Sequence, residues 1–490
     1  MPATLARRLA IILLLGATIL LAHLPRWYGP FEWDLAYYLG VGRLLWRGDL
    51  LLYRDVWDNK LGIHVYQWLV WHVLAPERWG VLGLRLGDLL FYAAGASACL
   101  AIARRLAPWP VALLTAIAWV ILTRHPHFVL AGGYLEEYVS VCGLLACWAA
   151  LRAGETRRAG WVFAASLALT GAVSFKQGGI AVAVPVLILL SWSAWNGVRL
   201  AVLPVLATGV LVGFYIWHGA HGDLIGALVT HPADTYLLGR PVGWMVEHFL
   251  WRFYAELGGD WRLLIFPAFG ALVLVVGGRV FSLVGFWRLR AALVLWPLLE
   301  MGAVAVQEVG YDAPHYFVTL FAPLLLLTAV ALGRARRSQL ATAALCLAAL
   351  WPVHTPLQAW WAETSRAVPQ TLTRLRTQPW RIEGPGGQAL ATQLSRLQAP
   401  NNRLVIWGEG THTGLWWELA PSWRPAVPYV DADTLERFWT PSVRSRLTAE
   451  PPALILMARS RGAAARPWLA ERYEWVGTAD GTTLELWQRR

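Results

Sequence analysis

Residues 31–60 read FEWDLAYYLGVGRLLWRGDLLLYRDVWDNK, directly after the first hydrophobic segment of the chain. Five carboxylates sit in this stretch (Glu32, Asp34, Asp49, Asp55 and Asp58), which makes it too charged to cross a bilayer. Trp33, Tyr37, Tyr38, Trp46, Tyr53 and Trp57 are interleaved with them. From Asp34 to Trp46 the apolar positions Leu35, Leu39, Gly42 and Leu45/Trp46 recur at helical spacing, which predicts a short helix lying flat at a membrane surface. Gly48-Asp49 ends it. Asp34 and Tyr38 share a face of that helix. Asp34 falls in the first turn, where the positive end of the helix dipole favours an ionised carboxylate. A base acting on a lipid-linked substrate needs such a group at the membrane boundary.

Working outward, composition sets the class. The chain is 57% hydrophobic and 15% charged, against about 25% charged in ordinary soluble domains, and its mean hydropathy is +0.46. An integral membrane protein is expected. The formal charge of +12 comes from small arginine clusters between apolar runs, the pattern of cytoplasmic loops rather than of a nucleic-acid surface. Cys99, Cys142, Cys147 and Cys346 all lie inside apolar runs, so they read as small buried hydrophobes and not as a disulfide or metal framework. Only Lys60 and Lys176 are lysines; the other basic residues among the 42 are arginine.

Eleven apolar segments are candidate spans: Leu9–Leu24, Leu84–Ile102, Val111–Thr123, Tyr134–Leu151, Trp161–Phe175, Ile180–Trp195, Leu200–Trp217, Leu263–Phe281, Leu293–Val306, Tyr316–Leu332 and Leu340–Val353. The first reads as an uncleaved anchor, and Leu61–Leu74 as a second interfacial helix. Arginine clusters fall at alternate ends of these segments, at Arg7/Arg8, Arg104/Arg105, Arg152/Arg157/Arg158, Arg199, Arg279/Arg288/Arg290 and Arg334/Arg336/Arg337. With eleven crossings the N-terminus is cytoplasmic and the C-terminal part lies outside. The expected fold is an all-α polytopic membrane domain over residues 1–353, with its first outer loop at 25–80. A small extracytoplasmic α/β domain follows over 354–490. In it Gln358–Thr377 reads as helix, Leu404–Trp407 and Leu454–Met457 as buried strands, and Trp475–Val476 and Thr483–Trp487 as a hairpin about Asp480-Gly481. Gly408-Glu-Gly410 is only a fragment of a nucleotide fingerprint.

Three further outer segments carry chemistry. Glu136 and Glu137 open a spanning helix, either as a solvated start favoured by the dipole or as a second acidic group facing the cavity of Asp34. Lys176-Gln177-Gly178-Gly179 breaks an apolar stretch in two. Its lysine either snorkels to the interface or, beside exposed glycine amides, grips a lipid phosphate. His315 and Tyr316 open the tenth span as interfacial anchors or as sugar or phosphate ligands. His218, His221, Asp223, His231 and Asp234 match no standard metal spacing, and GxSxG, HExxH and Walker patterns are absent.

In order, these residues resemble the GT-C class of membrane glycosyltransferases, in the line of protein O-mannosyltransferases and the bacterial aminoarabinose and related family 39 transferases. The resemblance rests on Asp34, Tyr37, Tyr38, Gly48, Tyr53, Asp55 and Lys60, then Glu136/Glu137, Lys176-Gln177, and His315, Tyr316, Phe317 and Pro323. It departs from the family at Asp34-Leu35, where many members have Asp-Glu, and at Leu61-Gly62, where Pro-Pro is usual. The resemblance implies a sugar donor on a polyprenyl phosphate and inversion at the anomeric carbon. Asp34, with Glu136 and Glu137, would be the catalytic acids. Tyr37, Tyr38, Tyr53, Asp55, Lys60, Lys176, Gln177, His315 and Tyr316 would bind substrate. The expected partners are that donor, membrane lipid and an extracytoplasmic acceptor, with no nucleic acid. No cofactor is required; a divalent metal is possible but not indicated. The expected location is the inner or plasma membrane. Two other classes compete with this reading: a lipid or sugar transporter, and an envelope-assembly protein that binds polyprenyl lipid without catalysis.

Overall fold

The computed structural model describes residues 3–24, 80–125, 127–129, 134–231, 233, 241–256, 264–276, 286–308, 313–334, 387–397, 401–407, 422–426, 441–460, 465–480 and 482–490. Single residues and short runs within 35–62, 358–373 and 415–419 are also described. Two compact units emerge: Met1–Trp27, Arg85–Phe214 and Pro232–Thr377 form the first, and Tyr28–Leu84, Tyr215–His231 and Gln378–Arg490 the second.

The first unit is helical. Its elements are α1 (Ala3–His23), α2 (Gly80–Leu106), α3 (Trp109–Thr123), α4 (Leu135–Thr156), α5 (Ala159–Phe175), α6 (Ala183–Leu190), α7 (Ala194–Trp217), α8 (Val242–Glu256), α9 (Ile265–Val276), α10 (Phe286–Glu308) and α11 (Val318–Arg334). Four stretches among the described helices are long and apolar enough to cross a membrane: Arg85–Leu106, Ala194–Trp217, Trp287–Gln307 and Pro314–Gly333. Leu9–His23, Trp109–Thr123, Ala159–Phe175 and Gln177–Leu190 are shorter apolar helices. The eleventh expected span, Leu340–Val353, lies outside the described residues.

α4 sits at the centre of this unit. It packs against α5, α6 and α11, and small residues such as Cys142, Gly143, Ala146 and Ala150 let those neighbours approach. A helix apolar all round and covered all round belongs in a core. α7 is the opposite case: Val202, Val205, Leu206, Val210 and Ile216 are exposed, a surface suited to lipid and unsuited to water.

The sixth and seventh expected spans differ from the sequence reading. Lys176 is extended, Gln177–Val182 forms a 3-10 turn, and α6 is only eight residues long. The next helix starts at Ala194, earlier than Leu200. The cause is local: Asn196 Nδ2 donates to the Leu190 carbonyl at 3.1 Å, satisfying the end of α6 so that the chain turns at once. Gly179 is required in the turn before α6, because a Cβ there would overlap the Ala172 carbonyl of α5.

The second unit contains a mixed five-stranded sheet. Its elements are α12 (Gly387–Arg396), β1 (Arg403–Trp407), β2 (Arg424–Pro425), α13 (Pro441–Ala449), β3 (Leu454–Ala458), α14 (Arg466–Arg472), β4 (Tyr473–Thr478) and β5 (Leu484–Arg489), in sheet order β2-β1-β3-β5-β4. β1 is parallel to β2 and β3, whereas β5 is antiparallel to β3 and β4. β3 is buried along its whole length, as a continuous apolar run in a central strand should be. Both expected strands and the hairpin are present, and β4 carries a bulge between Trp475 and Gly477. The Gly408-Glu-Gly410 fragment and the Leu61–Leu74 helix fall outside the described residues, apart from Leu61 and Gly62. Every described residue between Gln358 and Thr373 is helical.

Candidate functional site

The segment 31–60 belongs to the second unit, and Asp34, Tyr37 and Gly48 lie outside the described residues. Leu35, Tyr38, Val41, Leu44 and Leu45 are helical and buried, at the three- and four-residue spacing of one helix face. The Lys60 ammonium lies 5.2 Å from the centre of the Tyr38 ring, a cation–π contact. Leu51–Val56 is a tight loop: the Tyr53 amide donates to the Val56 carbonyl at 2.6 Å, and the Leu51 amide donates to Asp55 Oδ2 at 2.8 Å. Tyr53 has φ of 70°, a left-handed conformation that costs a residue other than glycine about 1–3 kcal/mol. Its hydroxyl donates to the Lys60 carbonyl at 3.3 Å. Burial, then Tyr215 and Asp58, push its pKa well up, so it stays a neutral donor. Asp55 also pairs with Arg54 at 2.7 Å.

The first unit brings together Glu136, Lys176, His315 and Tyr316, which are far apart in sequence. α4 delivers Glu136 in its first turn, the end of α5 delivers Lys176, and a 3-10 turn at Pro314–Phe317 delivers His315 and Tyr316 just before α11. Lys176 Nζ donates to Glu136 Oε1, and His315 Nε2 lies 3.9 Å from the same oxygen. The Lys176 ammonium also sits 4.0 Å from the centre of the Tyr316 ring. Tyr134 stacks on His315 at 4.2 Å. The side chains of Lys176 and His315 are 12% and 15% exposed, against 4% for Glu136, so the ammonium and the imidazole are more accessible than the carboxylate. Gln177 opens the adjoining glycine turn. The result is a partly open cluster of an ammonium, an imidazole and a carboxylate, walled by two aromatic rings.

Glu137, one residue further on, faces elsewhere. It accepts from the Tyr92 hydroxyl at 2.8 Å and from the Tyr134 amide at 3.0 Å, and it pairs with Arg124 Nη1 at 3.0 Å. The amide contact is half of a capping box that fixes the start of α4. Arg124 also pairs with Asp88 of α2, lies 3.9 Å from the centre of the Tyr92 ring, and is fully buried. Burial opposes its charge, but Asp88 and Glu137 outweigh burial and hold the guanidinium protonated. His23 Nε2 lies 3.7 Å from Asp88, and Arg85 is buried as well. Two arginines, Arg85 and Arg124, thus stand against two carboxylates, Asp88 and Glu137, so their formal charges balance inside the helical unit. Sequence reasoning missed Asp88, Arg85 and Arg124; the available signal was a charge inside or at the edge of an apolar run. It also missed Glu300, buried within α10, where it accepts from Trp296 Nε1 at 3.1 Å.

Among the described residues no three His, Cys, Asp or Glu side chains converge as a metal-binding group. Asp234 lies outside those residues.

No family model matches the sequence, and no curated protein does. Solved structures do match. ArnT from Cupriavidus metallidurans bound to undecaprenyl phosphate aligns with a TM-score of 0.58 at 14% identity, over 99% of this chain and 98% of that one. The Archaeoglobus fulgidus oligosaccharyltransferase in its apo form aligns with a TM-score of 0.51 at 12% identity, over 92% of this chain and 69% of that one. The archaeal oligosaccharyltransferase AglB from the same organism, in complex with an inhibitory peptide and a dolichol-phosphate, gives 0.51 and 12%, over 94% and 70%. The chain therefore has the fold of the GT-C class of membrane glycosyltransferases.

Proposed function

We propose that the chain is an inverting glycosyltransferase that moves a sugar from a polyprenyl-phosphate donor to an extracytoplasmic acceptor at the inner membrane. One observation carries the reading: Lys176 and His315 converge, partly open, at the mouth of α4 and α11 in a fold shared with proteins bound to undecaprenyl phosphate and dolichol-phosphate. An ammonium and an imidazole beside a glycine turn suit a phosphate that gains charge as it leaves.

In the reaction an oxygen of the acceptor attacks the anomeric carbon opposite the phosphate. The bond from that carbon to the phosphate oxygen breaks, and its electrons leave on the polyprenyl phosphate. Lys176, with His315, offsets the charge developing there. Asp34 takes the proton of the acceptor hydroxyl, a role that rests on the resemblance of residues 31–60 and on the helix start that their sequence predicts at Asp34. Lys60, Tyr38 and Tyr53 serve substrate binding. Lys176 as an ammonium and Tyr316 as a π-face grip the donor without any metal being required.

The test is stereochemical. Purified protein, a labelled polyprenyl-phosphate sugar and a membrane fraction supplying acceptor should give a product with the anomeric configuration opposite to the donor's. Retention of configuration would contradict the mechanism. Binding without transfer would favour a lipid-binding assembly protein.

A further inference from the structure

Glu136 and Glu137 are neighbours in sequence with different duties. Glu137 is held by Tyr92, Arg124 and the Tyr134 amide, and moving it would take from a buried guanidinium one of its two carboxylates. Glu136 is held, among the described residues, by Lys176 and His315, and both approach its Oε1. These are the ammonium and the imidazole assigned above to the donor's phosphate.

We propose that Glu136 is a placeholder for the lipid phosphate: it occupies Lys176 and His315 in the empty protein and is displaced when the polyprenyl phosphate arrives. The proposal rests on the transferase reading and adds a competition to it. A partly buried ammonium without a counter-ion is costly, which is reason enough for a carboxylate to sit there between turnovers. A second anion on the same ammonium would repel the first at hydrogen-bonding range. Tyr316 lets the exchange proceed in place, because its cation–π contact holds the ammonium while the carboxylate swings aside. Lys176 itself is anchored by its amide, which donates to the Ala172 carbonyl at 3.2 Å, and by its carbonyl, which accepts from the Gly179 amide at 2.9 Å. The exchange also runs in reverse: once the sugar has left, Glu136 helps expel the product phosphate.

Undecaprenyl phosphate serves as the probe, titrated into the full chain in nanodiscs of zwitterionic lipid and read by tryptophan fluorescence. Glu136→Gln keeps shape and removes the competing charge, so it should bind the probe about ten- to a hundredfold more tightly, with slower dissociation. On a Lys176→Ala background the same change should gain nothing, since the shared cation is gone. Equal or weaker binding by Glu136→Gln, with wild-type binding intact, overturns the placeholder and leaves the transferase reading standing. Failure of wild type and variant alike to bind the probe removes the transferase reading and the placeholder with it. If Glu136→Gln does not fold, Glu136→Ala takes its place and must show the same gain; no gain there overturns the proposal equally.

Discussion

Arg124 has no exposed side-chain surface and joins carboxylates from two helices, Asp88 of α2 and Glu137 of α4. Removing its guanidinium leaves two buried carboxylates uncompensated, save for Arg85 and His23. Arg124→Ala should therefore cost about 3–5 kcal/mol, the range for breaking a buried ion pair from one side. Thermal unfolding in detergent checks this: a large loss is expected for Arg124→Ala, and a change within experimental error would contradict it. At this scale the sequence was partly legible. Lys176 stood out because lysine is so rare in the chain, and Glu136 because an adjacent acidic pair at a helix mouth is unusual. That Glu136 and Glu137 diverge was hidden, since the difference lies in Tyr92 and Arg124, far off in sequence and joined only by packing. Asp88 and Arg124 were invisible as a pair for the same reason.

The turn Gln177–Val182 shows how an element sets a residue. Gly179 lies against the Ala172 carbonyl, so Gly179→Ala must push the turn away from α5 and carry Lys176 with it. An overpacking cost of about 1–3 kcal/mol is expected, together with weaker binding of undecaprenyl phosphate; full retention of both would contradict the packing. A second contact tests α8. His127 Nε2 lies 2.5 Å from Glu256 Oε2, and this bond, partly opposed by burial and by Arg252, raises the pKa of His127. His125 is a second titratable ring nearby among the described residues, 6.5 Å away. A raised histidine pKa means stability that is fully present below the unfolded value of about 6.5 and lost as pH rises through the folded value. The Tm gap between wild type and His127→Gln should shrink as pH climbs past that window, while the Arg252–Glu256 pair supplies a constant background; a gap independent of pH would contradict the pairing. Elements were the most legible level, because apolar periodicity marks helices and continuous apolar runs mark β1 and β3. The shortness of α6 was not legible, since its end is set by a side-chain bond from Asn196.

For the whole molecule, class and fold were readable from the order of motifs between apolar runs, and they agree with structures only 12–14% identical in sequence. The number of crossings was less readable, because helices as short as α6 and α9 blur the length rule. Alternating arginine clusters still make a prediction: reporter fusions at Arg336 and Arg490 should report opposite sides of the membrane, and a shared side would break the count of eleven. The central claim is that a carboxylate in the stretch 31–60 drives sugar transfer from a lipid phosphate. Its most direct test compares wild type with Asp34→Asn, measuring single-turnover transfer of label from a polyprenyl-phosphate sugar into a membrane-fraction acceptor alongside donor binding. Loss of the general base should slow transfer by about 10²–10⁴-fold while donor binding stays nearly intact; transfer at the wild-type rate by Asp34→Asn would contradict the account.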